Sequence, residues 1–285
     1  MSSLRPPTHG DVVEAARLMD EHWPEAVDPA RVLNDWTSPR IDLEHDARIG
    51  DGAYVLVEDI GEGRAWIEAY GQEVGEAMRW AESRARQTGR QRALTGGWST
   101  NVALFEELEQ RGYRRVRSSH RMETSLDSLV PEPAWPEGIE VRTIREGEAR
   151  AVYDAHEEAF EDVWEPTRRS FDDWAHWYLQ PPRFDPELWF LACDGPEICG
   201  VAMCHRQPTV PGLGWVDVLA VRREWRRRGI GRALPLHAFR AFVRHGLTRA
   251  GLGVDSESPT GAHGLYETVG MQAAHRIDVY EKSLA

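Results

Sequence analysis

Trp215-Val216-Asp217-Val218-Leu219-Ala220-Val221 runs into the basic bend Arg226-Arg227-Arg228-Gly229-Ile230-Gly231-Arg232-Ala233. The first stretch is nearly continuously apolar and reads as a buried strand. From Ala233 to His245 the apolar positions recur with helical spacing, so the chain reads as an amphipathic helix. A strand, a tight glycine-containing turn and a helix N-terminus together make an anion site. The first N–H groups of the helix lack intrahelical partners, and its dipole favours negative charge. Glycines at 229 and 231 let a phosphate approach the backbone where a Cβ would obstruct it. The expected ligand is a pyrophosphate-bearing cofactor.

This basic cluster stands in an acidic chain. The 285 residues carry a net charge of −13, which argues against nucleic acid or an anionic membrane as a partner. Lys282 is the only lysine, so the positive charge is almost all arginine. The length suits two domains, and 12 tryptophans supply sizeable cores. Cys193, Cys199 and Cys204 have neither CxxC nor metal-ligand spacing and read as reduced core thiols. With no signal-peptide pattern and no long apolar span, a cytoplasmic location is expected. His156 and His263 show no metal-like spacing with other ligands, so no metal is expected.

A proline-rich stretch within 127–138 (DSLVPEPAWPEG) reads as a linker between domains at 1–126 and 139–285. The two flanking halves begin alike, Leu4-Arg5-Pro6 before a helix at Gly10–Met19 and Val141-Arg142-Thr143-Ile144 before one at Gly147–Phe160. They also end alike. Asn101 to Glu106 leads through Arg111-Gly112-Tyr113 to a strand ending Arg121-Met122-Glu123, and Ala262 to Glu267 leads through Val269-Gly270-Met271 to one ending Val279-Tyr280-Glu281. One fold is therefore expected twice. In the second half, strands are expected at Leu188–Asp194, Ile198–His205, Trp215–Val221, Gly251–Asp255 and His275–Ser283. Helices are expected at Ser170–Leu179, Gly231–His245 and Gly261–Val269. This order suggests an α/β fold, a mixed sheet with helices on its faces.

Arg226-Arg227-Arg228-Gly229-Ile230-Gly231 and Leu265-Tyr266-Glu267-Thr268-Val269-Gly270-Met271 resemble the Q/R-x-x-G-x-G/A loop and the late L-Y-x-x-x-G-F signature of the GNAT superfamily of acyl-CoA-dependent N-acyltransferases, with Met in place of the final Phe. The duplicated arrangement, with Phe184-Asp185-Pro186 before the second strand and a closing Asp278-Val279-Tyr280, is similar to the tandem GNAT enzymes of the mycothiol synthase type. The resemblance implies two tandem GNAT-like domains. The first is the shorter. Gln72-Glu73-Val74-Gly75-Glu76-Ala77 fits the loop formally, but Glu73 and Glu76 put negative charge where a pyrophosphate would sit. Phe105 stands where the second half has Tyr266. Residues 1–126 therefore read as a degenerate, catalytically silent copy.

For the second half the resemblance implies acetyl-CoA as cosubstrate. Its pantetheine arm would pair along Leu219-Ala220-Val221, its pyrophosphate would lie on Arg226 to Arg232, and a backbone N–H of Leu219 or Val221 would face the thioester carbonyl. It implies Tyr266 as the proton donor to the leaving thiolate. Acyl transfer to an amine also needs a base, since an alkylammonium is mostly protonated at neutral pH. Asp217, two residues before Leu219 and expected on the same strand face, is one candidate, and an ion-paired strand-end aspartate is an equal reading. Trp215 stands where sequences of the mycothiol synthase type tend to carry an acid. Glu157, Glu161 and Asp162 read as a solvated helix face. Ser258 either caps the following helix or touches the cosubstrate. Trp164, Trp174 and Trp177, among Glu165, Asp172 and Asp173, read first as a helix packed on the sheet, and otherwise as a wall beside a cationic acceptor. The leading expectation is direct acetyl transfer to a small-molecule amine in a ternary complex. A protein N-acetyltransferase and a non-catalytic acyl-CoA sensor are the alternatives.

Overall fold

The structure is a computed structural model that describes residues 4–50, 52–72, 74–127, 129–161, 169–180, 184–258 and 261–285. Glu73, Asp162, Trp164 and Glu165, named above, lie outside the described residues. In chain order the elements are α1 (Val12–Asp20), α2 (Pro29–Trp36), α3 (Leu43–Asp46), β1 (Ala47–Gly50), β2 (Ala53–Gly61), β3 (Arg64–Gly71), α4 (Val74–Gln87), β4 (Arg92–Trp98), α5 (Val102–Gln110) and β5 (Arg114–Ser125). Then follow β6 (Ile139–Thr143), α6 (Ala149–Ala159), α7 (Phe171–Tyr178), β7 (Trp189–Asp194), β8 (Glu197–Arg206), β9 (Leu213–Val221), α8 (Ile230–Arg244), β10 (Arg249–Asp255), α9 (Ala262–Glu267) and β11 (Gln272–Ser283). The mixed α/β architecture expected from the sequence is present.

Two compact units divide the chain, Met1–Ser118 with Arg276–Ala285, and Ser119–His275. Sequence order alone assigns β11 to the second half, whereas its packing assigns it from Arg276 onward to the first unit. There the strands run β1, β2, β3, β4, β11, all neighbours antiparallel except the β3–β4 pair. On one side α4 and α5 pack Ala77, Met78, Leu104 and Leu108 against Val55 and Ile67, and Tyr280 and Leu284 complete that core. On the other side α1 and α2 pack Leu18, Met19, Val32 and Trp36 against Tyr54 and Leu56.

In the second unit the strands run β6, β7, β8, β9, β10, and Ser119–Ser125 of β5. Again one pair is parallel, β9 with β10. Residues Phe239, Phe242 and Leu234 of α8 and Tyr266 of α9 pack against Phe190, Val216 and Leu252 on one face. On the other face Val152 of α6 and Trp174 of α7 pack against Trp189, Val218 and Ala220. Trp174 is fully buried and edge-on to Trp189 at 6.0 Å, so it is a core residue. The helix carrying it starts at a capping box, Ser170 Oγ accepting from the Asp173 N–H at 3.1 Å. Cys193, Cys199 and Cys204 are buried free thiols, and burial raises their pKa, that of Cys199 to about 11.

Candidate active site

The parallel pairing of β9 with β10 covers four positions, from Leu213↔Arg249 to Val216↔Leu252, and then stops. Both strands continue, so among the described residues Asp217 to Val221 has no strand partner on the β10 side. The result is a notch in the sheet, open where the backbone of Leu219, Ala220 and Val221 passes. An extended ligand arm needs such an edge, because unpaired peptide groups can hydrogen-bond it as an added strand.

Beyond the notch the chain makes the basic bend. Arg222 anchors it, donating from Nε to Glu158 at 2.6 Å and from Nη1 to Glu197 at 3.2 Å. The Trp225 indole N–H donates to Asp194 at 2.8 Å. Arg226 turns inward and donates to the carbonyls of Val221 and Ala159 at 3.1 and 3.0 Å. It braces the bend rather than presenting its charge. Arg228 lies 3.5 Å from Asp194. Arg227 and Arg232 are exposed and make no ion pair among the described residues. Arg227 (φ 64°) and Gly229 (φ 97°) are both left-handed, a local backbone from which N–H groups form anion-binding concavities.

Gly229 precedes α8 with no side-chain cap, and a Cβ there would meet nothing within 4 Å. The helix start is therefore open to a ligand. Ile230 is fully buried, so only its backbone is available to one. At Gly231 a Cβ would come 3.4 Å from Leu265 and 3.8 Å from Val221, which ties α9 and the end of β9 to the first turn of α8.

Tyr266, on α9, is 6% exposed and belongs to the same apolar cluster as Val216, Ile230 and Leu234. Burial raises its pKa well above the usual phenol range. A phenol held protonated in this way suits a donor rather than a base. Ser258 sits in the turn after β10, its N–H donating to Asp255 O at 3.2 Å and its carbonyl accepting from Gly261. The N-cap of α9 is Gly261, so Ser258 is not the helix cap.

Asp217 departs from the expected geometry. Val218 pairs with Met203 and Val216 with Cys204, so Asp217 is an extra residue in a β-bulge. The bulge reverses the alternation. Val216 and Leu219 both face the α8 cluster, while Val218 and Ala220 face α6 and α7. Asp217 therefore does not share a face with Leu219. Its Oδ2 lies 2.7 Å from Nδ1 of His205, an ion-pair distance at an angle outside hydrogen-bond geometry. His205 pairs across the β8–β9 hairpin with Trp215. Sequence reasoning assigned His205 to a strand and gave it no role; the hairpin register is what reveals its partner. Trp215 itself lies against Gly251, with the Arg121 guanidinium 4.9 Å from its ring and Glu123 accepting from Arg121 at 2.6 Å.

Among the described residues the first unit lacks this arrangement. Only residues 72 and 73 separate β3 from α4, against eight between β9 and α8 (222–229). A Cβ at Gly75 would come within 2.9 Å of Glu107 Oε1, and Arg111 donates to the Gly75 carbonyl. Side chains of α5 and its C-cap Arg111 thus occupy the space beside the start of α4.

Comparison with known proteins agrees with these features. Residues 149–271 match the Acetyltransferase (GNAT) family. A mycothiol acetyltransferase of Streptomyces bingchenggensis is 37% identical over 163 residues, 55% of this chain, and the chain spans 48% of that relative's length. A mycothiol acetyltransferase of Salinispora tropica is 31% identical over 272 residues, covering 89% of this chain and 80% of the relative. The crystal structure of a GCN5-related N-acetyltransferase from Sphaerobacter thermophilus superposes with a TM-score of 0.76 at 31% identity, covering 99% of this chain and 96% of the other.

Proposed function

The chain belongs to the GNAT acetyltransferase family, and on that premise we propose that its second unit transfers an acetyl group from acetyl-CoA to the amine of a small molecule by direct attack in a ternary complex. One observation carries the reading: the notch between β9 and β10 leads directly into the open, arginine-flanked start of α8.

Residues of the chain divide the work. Backbone N–H groups at Gly229, Ile230 and Gly231, with the side chains of Arg227, Arg228 and Arg232, hold the pyrophosphate, and the edge at Leu219–Val221 holds the pantetheine arm. A backbone N–H of Leu219 or Val221 stabilises the carbonyl oxygen as it gains charge. The Asp217 carboxylate takes the proton from the acceptor ammonium, directly or through water. The freed amine nitrogen bonds to the thioester carbon, and the carbon–sulfur bond breaks. Tyr266 protonates the departing thiolate, and the resulting phenolate recovers a proton from the one lost by the tetrahedral amine.

Mycothiol acetyltransferase relatives favour a small-molecule acceptor over a protein one. The test is CoA release from acetyl-CoA with a panel of small amines. Turnover with at least one amine is expected, and its loss in the double variant Tyr266→Phe, Asp217→Asn. Acetyl-CoA binding without turnover on any amine would make the chain a sensor, and undiminished turnover in the double variant would remove both assignments.

A further inference from the structure

We propose that Gly253 is the floor of the acceptor seat, a vacant place for an amine carried on a ring-sized body, and that Gly251 keeps it vacant by giving the Trp215 indole room elsewhere. The inference rests on the acetyltransferase reading above and names the kind of amine it takes.

Four observations carry it. First, Ala250, Leu252 and Val254 face the α8 cluster, so Gly251 and Gly253 of β10 face the other side of the sheet. Gly253 is exposed in mid-strand opposite Arg121 of β5, and among the described residues a Cβ built on it meets nothing within 4 Å. Its φ is not left-handed, so no turn calls for glycine there. A glycine inside a strand without such a cause marks a close approach to the sheet. Second, the place adjoins the notch. Leu252 and Val216 form the last pair of β10 and β9, and Gly253 and Asp217 are the next residues along each strand. Third, Trp215 forms a wall beside this floor, lying against Gly251 with the Arg121 guanidinium over its ring.

Fourth, the first unit holds a filled version of the same place. It lacks the basic bend but repeats the pairing: β3 and β4 run parallel from Arg64↔Arg92 to Ile67↔Thr95 and then part. Counted from that last pair, Trp66 corresponds to Trp215, Leu94 to Gly251 and Gly96 to Gly253. Leu94 is buried where the second unit has Gly251, and the indole of Trp66 lies over Gly96 instead, 3.3 Å from a Cβ built there. The indole thus has two resting places in this fold, and Gly251 selects the one that leaves Gly253 bare. Strands lie about 4.8 Å apart and same-face residues about 6.8 Å apart along a strand, so one vacant position has roughly the footprint of a six-membered ring.

The test compares methylamine with cyclohexylamine, amines of like basicity, using the full chain and acetyl-CoA. The wild type should acetylate cyclohexylamine with a kcat/KM at least equal to that for methylamine. Gly253→Val puts a strand-forming residue where nothing clashes, and it should lower kcat/KM for cyclohexylamine by more than about tenfold relative to methylamine. The CoA-induced rise in Tm should be unchanged. Trp215→Phe narrows the wall and keeps a ring against Arg121, so it should shift the ratio towards cyclohexylamine by about two- to threefold. A merely structural effect of either substitution would lower both amines alike. Rejection of cyclohexylamine by a wild type that acetylates any other amine would overturn the seat and leave the acetyltransferase reading intact. So would an equal loss on both amines or no loss in Gly253→Val, or a ratio that fails to rise in Trp215→Phe. If the wild type binds acetyl-CoA and acetylates no amine at all, that reading falls and this one with it.

Discussion

The indole of Trp215 occupies the space that a side chain at Gly251 would need: a Cβ built on Gly251 comes 2.7 Å from ring carbon Cζ3 and 2.9 Å from Cε3. The two residues face each other across the last paired stretch of β9 and β10. The ring is backed by Arg121, which is itself buried and bonded to Glu123. Gly251→Ala should therefore destabilise the protein by about 1–3 kcal/mol, the usual cost of overpacking. Trp215→Ala in the same chain should relieve that part of the penalty due to the clash. Denaturant titration of the two single variants and the double variant measures it.

Gly229 poses a different constraint. Space is open around it, but its φ of 97° is one that L side chains rarely adopt. Gly229→Ala should cost about 1–3 kcal/mol through backbone strain alone. It should also weaken CoA binding, because relief of that strain moves the N–H groups at the start of α8. Thermal unfolding with and without CoA separates the two effects, since a lost ligand contribution shows as a smaller CoA-induced rise in Tm.

Glu107 and Arg111 line the start of α4, so we expect the first unit to offer no second seat for a diphosphate. Isothermal titration with CoA should return one site per chain. That site should be lost in an Arg227→Glu, Arg228→Glu variant and retained in Glu107→Ala. A second site of similar affinity would show that the first unit still binds.

Tyr266→Phe removes one hydroxyl from a buried ring. We expect kcat for amine acetylation to fall by about 100-fold, the low end of acid–base contributions, with CoA affinity unchanged. Because burial raises the phenol pKa, the wild-type donor stays protonated well past neutrality. No decline in kcat from loss of this proton is expected on the alkaline side up to pH 9, and a pH–rate profile at saturating acetyl-CoA checks it.

His156 gives a pH effect on stability rather than on chemistry. Its Nδ1 accepts from the Trp174 indole N–H at 3.1 Å, and burial, aided by Arg169, lowers its pKa to about 4. The ring is neutral in the fold, so Glu157 at 3.7 Å neighbours an uncharged imidazole. The unfolded chain binds the proton more readily, with a pKa of about 6.5. The contribution of His156 is thus complete above that value and is lost as pH falls towards 4, by on the order of 3 kcal/mol. His156→Gln keeps an acceptor for Trp174 without titrating. Its stability should fall less between pH 6.5 and 4 than that of the wild type, as read from urea midpoints.

The strand, bend and helix at 213–244 were legible because three signals coincide there: an apolar run, glycines at the turn and renewed helical periodicity. Ser170 and Trp174 followed the same local rules, a cap and a core face. The helix after Gly231 was expected one residue late at each end, since a helix starting at a left-handed glycine carries no capping side chain. The bulge at Asp217 was invisible, because alternation in a sequence presumes an unbroken ladder. His205 was missed for a related reason. Its partner is fixed by the register of a hairpin whose six-residue loop, 207–212, marks a turn at Pro211-Gly212 but does not set which residues pair.

Arg276–Ala285 belong to the same unit as Met1–Ser118, and Tyr280 and Leu284 help to fill its core. During synthesis those residues leave the ribosome after all of Ser119–His275. The N-terminal unit therefore waits with the free side of β4 uncovered until Arg276–Ala285 have emerged. Slow, late closure of this kind exposes a strand edge to wrong partners, so chaperone dependence should track the N-terminal unit although it is made first.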